Sequence, residues 1–281
     1  MLECISEHAC FGGVQGFYRH ASSAIGLPMR FSVYQPPQAK AGPVPVLFYL
    51  AGLTCTEETF MIKAGAQRFA AQHGIMLVAP DTSARDTGIA GVADSWDFGN
   101  SAGFYLDATQ QPWSAHFRME SYIVHELRAL ILRDFPARPA HIGIFGHSMG
   151  GHGALVLALR HPDKFQSVSA FAPIAAPSQC PWGQKAFGLY LGPDTARWQQ
   201  YDASALMAAR TTPYPQGILI DQGLGDQFLE AQLLPHVFEA ACAAAHQPLT
   251  LRRHPGYDHG YYFISTFIED HLAFHSRNLQ R

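Results

Sequence analysis

The chain has 281 residues, 48% of them hydrophobic and 15% charged, enough to bury a large core. A formal net charge of −3 and the lack of any Lys/Arg-rich run exclude the concentrated positive patch that nucleic acid or an anionic membrane surface requires, and point to a small-molecule partner. Five scattered cysteines (Cys4, Cys10, Cys55, Cys180, Cys242) form no C-x-x-C pair, which fits free thiols in a reducing compartment and no structural zinc.

Residues 11–34 mix aromatic and β-branched residues with glycines, as antiparallel strands do, and Pro36-Pro37 and Gly42-Pro43 end them. The apolar run 46–51 predicts a strand covered on both faces, leading into the loop Gly52-Leu53-Thr54-Cys55-Thr56. A helix is expected over 57–73 and a buried strand over 75–79. From 82 to 113 periodicity is lost among Gly, Asp, Ser and aromatics, and a loop of that length is either functional or an Ω-loop held by its own aromatics. A helix follows over 117–135, then a strand over 142–145, a helix over 149–160 and a strand over 168–171. Residues 173–197 read as irregular. The rest predicts a strand at 218–220, an Ala-rich helix at 228–246, a strand at 249–252 and a helix at 261–274.

Short apolar strands alternating with helices imply an α/β fold with a mostly parallel central sheet and helices on both faces, in one domain over 1–281. No linker or internal repeat interrupts it. The N-terminus has no basic stretch ahead of an apolar one, and no uncharged apolar run reaches bilayer-spanning length, so the expectation is a cytoplasmic protein.

The chemistry centres on Gly146-His147-Ser148-Met149-Gly150, a G-x-S-x-G between a strand and a helix. Glycines two residues either side of the serine permit the sharp turn that exposes a nucleophile, which makes Ser148 the candidate. The alternative is a glycine-rich turn with the serine as an N-cap. A serine hydroxyl needs a histidine to take its proton and a carboxylate to orient that histidine, and in this fold class they follow in the order serine, acid, histidine. Asp221 and Asp226 both follow the strand at 218–220. Asp226, in the turn Gly223-Leu224-Gly225-Asp226-Gln227, is better placed to project toward the serine. His254 and His259 both follow the last strand, and His259 lies in a loop with room to reach over the sheet. His147 and His152 read as packing or hydrogen-bonding residues. The developing oxyanion needs backbone amides, for which Met149 at the helix start and Leu53 in the loop after 46–51 are expected. No metal-ligand spacing such as H-E-x-x-H occurs, so neither a catalytic metal nor a cofactor is expected.

Several segments carry a resemblance: Gly52-Leu53-Thr54-Cys55-Thr56-Glu57-Glu58, Lys63-Ala64-Gly65-Ala66-Gln67-Arg68, Ala102-Gly103-Phe104-Tyr105, residues 146–155, Cys180-Pro181-Trp182-Gly183-Gln184-Lys185-Ala186-Phe187, Asp221-Gln222-Gly223 and Gly256-Tyr257-Asp258-His259. In this order they resemble the S-formylglutathione hydrolase (esterase D) family over about residues 11–275. The resemblance implies an α/β-hydrolase fold, a triad on Ser148, Asp226 and His259, and oxyanion amides on Leu53 and Met149. It further implies hydrolysis of the thioester S-formylglutathione to formate and glutathione in formaldehyde detoxification, and a homodimer. The chain departs from the family at Val14, where a tryptophan is expected, and at Gly225, which replaces a usually polar or small residue beside the acid. Trp182 and the 96–113 loop with Trp96 are expected to narrow the acyl side. Cys55 lies beside the oxyanion loop, where it is either a thiol whose alkylation blocks the site or a small buried side chain. Lys185, Lys63 and Arg85 are the cations available for the two glutathione carboxylates. A general short-chain carboxylesterase with the same triad, an acyltransferase and a binding protein on an inactive hydrolase fold are the alternatives.

Overall fold

The computed structural model describes residues 2–280. Its spine is a nine-stranded sheet in the order β1-β2-β3-β5-β4-β6-β7-β8-β9. β1 (Leu2–Cys10), β2 (Gly13–Ala21) and β3 (Pro28–Gln35) are antiparallel, and β3 pairs antiparallel with β5 (Met76–Pro80). Beyond that point every neighbour is parallel: β5 with β4 (Val44–Leu50), then β6 (Ala137–His147), β7 (Ser167–Phe171), β8 (Ile218–Gly223) and β9 (Leu249–His254). All seven residues of β4 are buried, as a strand covered on both faces requires.

Two helices cover the centre. α5 (Met149–Arg160) packs on β4, β6 and β7, while α10 (Tyr261–Leu279) packs on β6, β7 and β8. On β7, Ser167 and Ser169 bond to His275 and His271 of α10, so the alternating Val168 and Ala170 turn to the opposite face. Small residues of α5 also let the 82–113 segment lie close against it: a Cβ on Gly153 would fall 2.6 Å from the Tyr105 ring. A mostly parallel sheet with an antiparallel N-terminal extension and flanking helices is the α/β-hydrolase arrangement.

Several elements differ from expectation. β1 was not foreseen. The helix expected over 57–73 is two, α1 (Thr59–Lys63) and α2 (Ala66–His73), parted by Gly65 at φ 67°. The helix expected at 117–135 comprises α3 (Met119–Ser121), a π-helical stretch Tyr122–Leu127 and α4 (Arg128–Asp134). Residues 173–197 are not irregular throughout, because α6 (Pro181–Leu191) and α7 (Thr195–Trp198) lie there, followed by α8 (Ala203–Ala208). The helix expected at 228–246 is a π-helical turn Leu229–Leu233 and α9 (Pro235–Ala244). Most of 82–113 is irregular, yet Phe98, Phe104 and Tyr105 are buried, and Phe98 packs 4.5 Å from the Tyr190 ring of α6.

Candidate active site

β6 ends at His147 and α5 begins at Met149, which leaves Ser148 on the turn between them at φ 58° and ψ −120°. Its N–H donates to Phe171 O at 3.0 Å, and its carbonyl accepts from His152 N at 2.9 Å and Ile174 N at 3.2 Å. The flanking glycines are sterically required. A Cβ on Gly150 would stand 1.9 Å from Leu50 O, and one on Gly146 would stand 2.2 Å from Gly150 O.

Asp226 and His259 come from loops after β8 and β9 and meet at 2.5 Å, Oδ2 to Nδ1. Asp226 Oδ1 also accepts from Phe228 N at 2.8 Å, which aims the carboxylate. The two competing residues pair with each other instead. His254 Nε2 lies 3.2 Å from Asp221 Oδ1, and the same carboxylate receives Arg252 Nε at 2.6 Å and His271 Nε2 at 3.2 Å. Burial raises the Asp221 pKa, but the hydrogen bonds from His271 and Arg252 outweigh it and hold the carboxyl well below the usual range.

Leu53, Cys55, Trp96, Ser148, Trp182 and His259 line one cavity of about 190 Å³. The amides of Leu53 and Met149 have no hydrogen-bond acceptor among the described residues, so both are available to an anion. The loop carrying Leu53 is held from behind: Tyr105 OH donates to Ala51 O at 2.8 Å, Thr54 N to Ser101 O at 3.2 Å and Thr82 Oγ1 to Cys55 O at 2.7 Å. Trp182 packs edge-on to Trp96 at 5.5 Å and against Phe228 at 4.7 Å.

Lys185 is not in the cavity wall. Its ammonium donates to Asp97 at 2.5 Å and Ser95 at 2.8 Å. Burial pushes the Cys55 thiol pKa up, which disfavours the thiolate form. His147 packs its ring 4.4 Å from that of His259, and neither of its nitrogens has a partner among the described residues. Burial, with His259 nearby, lowers its pKa far below the ordinary value, so it adds no charge beside His259. His152 Nε2 lies 3.1 Å from Phe104 O. Among the described residues no three His, Cys, Asp or Glu side chains are placed to hold a metal ion.

Residues 22–274 match the family described as "Putative esterase". S-formylglutathione hydrolases of Arabidopsis thaliana and Rattus norvegicus are 53% and 51% identical, with 99% of this chain and 98% and 99% of theirs covered. The chain belongs to the S-formylglutathione hydrolase family. A solved S-formylglutathione hydrolase from Agrobacterium tumefaciens superposes with a TM-score of 0.96 at 48% identity, covering 98% of this chain and 99% of that one.

Two wall residues escaped sequence reasoning. Phe228 stands 5.1 Å from the His259 ring, and Tyr261 opens α10. Each lies two residues beyond a proposed triad member, and that proximity was the available signal.

Proposed function

We propose that the chain hydrolyses S-formylglutathione to formate and glutathione through a formyl-enzyme on Ser148. The observation that carries this is the Asp226–His259 hydrogen bond beside a small cavity that also contains Ser148. In this reading His259 takes the hydroxyl proton as Ser148 Oγ attacks the formyl carbon, and Asp226 stabilises the imidazolium. The Leu53 and Met149 amides receive the oxyanion. Collapse of the tetrahedral adduct expels the glutathione thiolate, which His259 protonates; a thiol of pKa about 8.5 leaves readily. Water, deprotonated by His259, then attacks the formyl ester and releases formate, and Ser148 recovers its proton.

The experiment is the steady-state rate on S-formylglutathione beside p-nitrophenyl acetate, for wild type and Ser148→Ala. A kcat/KM much higher on the thioester, with both activities lost in Ser148→Ala, is the expected result. Turnover of the simple ester alone would make this a short-chain carboxylesterase. The homodimer implied by the family resemblance belongs to the same proposal and is read by analytical ultracentrifugation. So does a cytoplasmic site of action. It is supported by the five cysteines, none of them disulfide-bonded. No helix among the described residues is long and apolar enough to cross a membrane.

A further inference from the structure

A second cavity, of about 570 Å³, opens beside the catalytic one and shares Tyr261 with it as a wall. Lys63, at the end of α1, and Asp258, in the loop carrying His259, also line it. The three cations available for glutathione differ sharply in their engagements. Arg85 is bound to Asp81 and Lys185 to Asp97. Lys63 has no carboxylate partner among the described residues, and its Nζ stands 5.8 Å from the centre of the Tyr261 ring. Its charge reaches the catalytic cavity, where it is among the influences that oppose the burial-driven rise in the Cys55 pKa. Asp258 is exposed and uses one oxygen, Oδ1, to accept from Gly260 N at 2.9 Å. Tyr262, 87% exposed, lines the same cavity and offers an aromatic surface that the fold does not bury.

We propose that this cavity is the subsite for the γ-glutamyl head of the leaving group, with Lys63 receiving its α-carboxylate and Asp258 its α-ammonium. The proposal rests on the thioester reading above. Glutathione has two different ends. The γ-glutamyl end carries an ammonium and a carboxylate on one carbon, so a wall with one cation and one anion complements both. The glycyl end carries a carboxylate alone, which would pair with Lys63 but be repelled by Asp258. Both protein charges are solvent-exposed, so the pairing sets substrate preference by a modest factor.

The test compares three thioesters: S-formylglutathione, S-formyl-γ-glutamylcysteine, which lacks glycine, and S-formyl-N-acetylcysteinylglycine, in which an acetyl group replaces the γ-glutamyl head and keeps the cysteine nitrogen blocked. Removing glycine should change kcat/KM little, whereas removing the γ-glutamyl head should lower it about tenfold, chiefly through KM. Lys63→Met and Asp258→Asn should each erase most of that preference, and thermal melting checks that both variants fold. If the glycine-deleted substrate suffers the larger loss, or if Lys63→Met weakens all three thioesters by the same factor, the γ-glutamyl assignment is overturned. Wild-type enzyme that favours none of the thioesters over p-nitrophenyl acetate would instead overturn the thioester reading itself, and the subsite with it.

Discussion

Arg85 donates from Nη2 to the carbonyl of Cys55 at 3.2 Å and thereby ties the loop bearing Leu53 to a buried carboxylate. The same guanidinium holds Asp81 Oδ2 through Nε at 2.9 Å and Ser101 Oγ through Nη1 at 2.6 Å, and Ser101 O in turn takes the Thr54 amide. The Leu53 amide is thus followed by two residues fixed by one cation. Replacing Arg85 with Met keeps the apolar stem and removes the anchor. Turnover of ester and thioester should both fall, about tenfold or more, with KM changing less, because an amide out of place acts on the transition state. An unchanged kcat would show that the loop holds itself.

Asp226 and Asp221, so close in sequence, should respond oppositely to the same substitution. Asp226→Asn leaves the fold in place but disturbs the His259 tautomer, so kcat should drop by about 10⁴ with little change in melting temperature. Asp221→Asn strips the counter-charge from Arg252 and weakens the hydrogen bonds to His254 and His271. It should cost about 3 kcal/mol of stability while the folded fraction stays active. Thermal melts and kcat measured on the same two proteins decide the matter, and a reversed pattern would exchange their roles.

Trp182 is almost fully buried, between Trp96 and Phe228 on the cavity wall. Truncation to alanine should admit longer acyl chains. The ratio of kcat/KM for p-nitrophenyl hexanoate over acetate should rise about tenfold, since each methylene newly accommodated in an apolar pocket is worth about 1 kcal/mol or more. A ratio that does not move would place the acyl group elsewhere.

Stability should fall on the acid side of neutrality. Burial lowers the pKa values of His147, His152, His271 and His275 below the ordinary 6.5, that of His152 to about 4. Between 6.5 and the lowered value the unfolded chain binds a proton that the folded chain refuses. The stabilisation is therefore fully present above about pH 6.5 and is lost as pH falls, by up to about 1.4 kcal/mol per pH unit for each histidine. Urea unfolding at pH 7.5 and at pH 5 measures it, and equal midpoints would mean that these rings accept protons without opening the fold.

What was legible in the sequence was local. The buried strands announced themselves as apolar runs, and the turn around Ser148 as a glycine spacing whose steric reason the Leu50 carbonyl supplies. α6 lies within the segment that read as irregular, and it contains Pro181, Gly183 and Gly188, residue types that ordinarily interrupt a helix. Yet Pro181 occupies the first turn, where a missing N–H costs nothing, and Gly183 is needed because a Cβ would lie 2.0 Å from Pro177 O. β1 was missed because it lies at the sheet edge with much of its length exposed, so no continuous apolar run marks it. Lys185 looked free because its partner Asp97 is 88 residues away, a pairing that only the folded chain creates.

The backbone at Ser148 has a last implication. A non-glycine residue at φ 58° and ψ −120° occupies a conformation that L-amino acids avoid, at a cost of order 1–3 kcal/mol. Hydrogen bonds to Phe171, Ile174 and His152 hold it there. The proposed nucleophile therefore sits where the chain resists its own preference, and selection for stability alone would favour a glycine there. A serine that attacks from this place would mark a fold kept below its own optimum by the demands of chemistry.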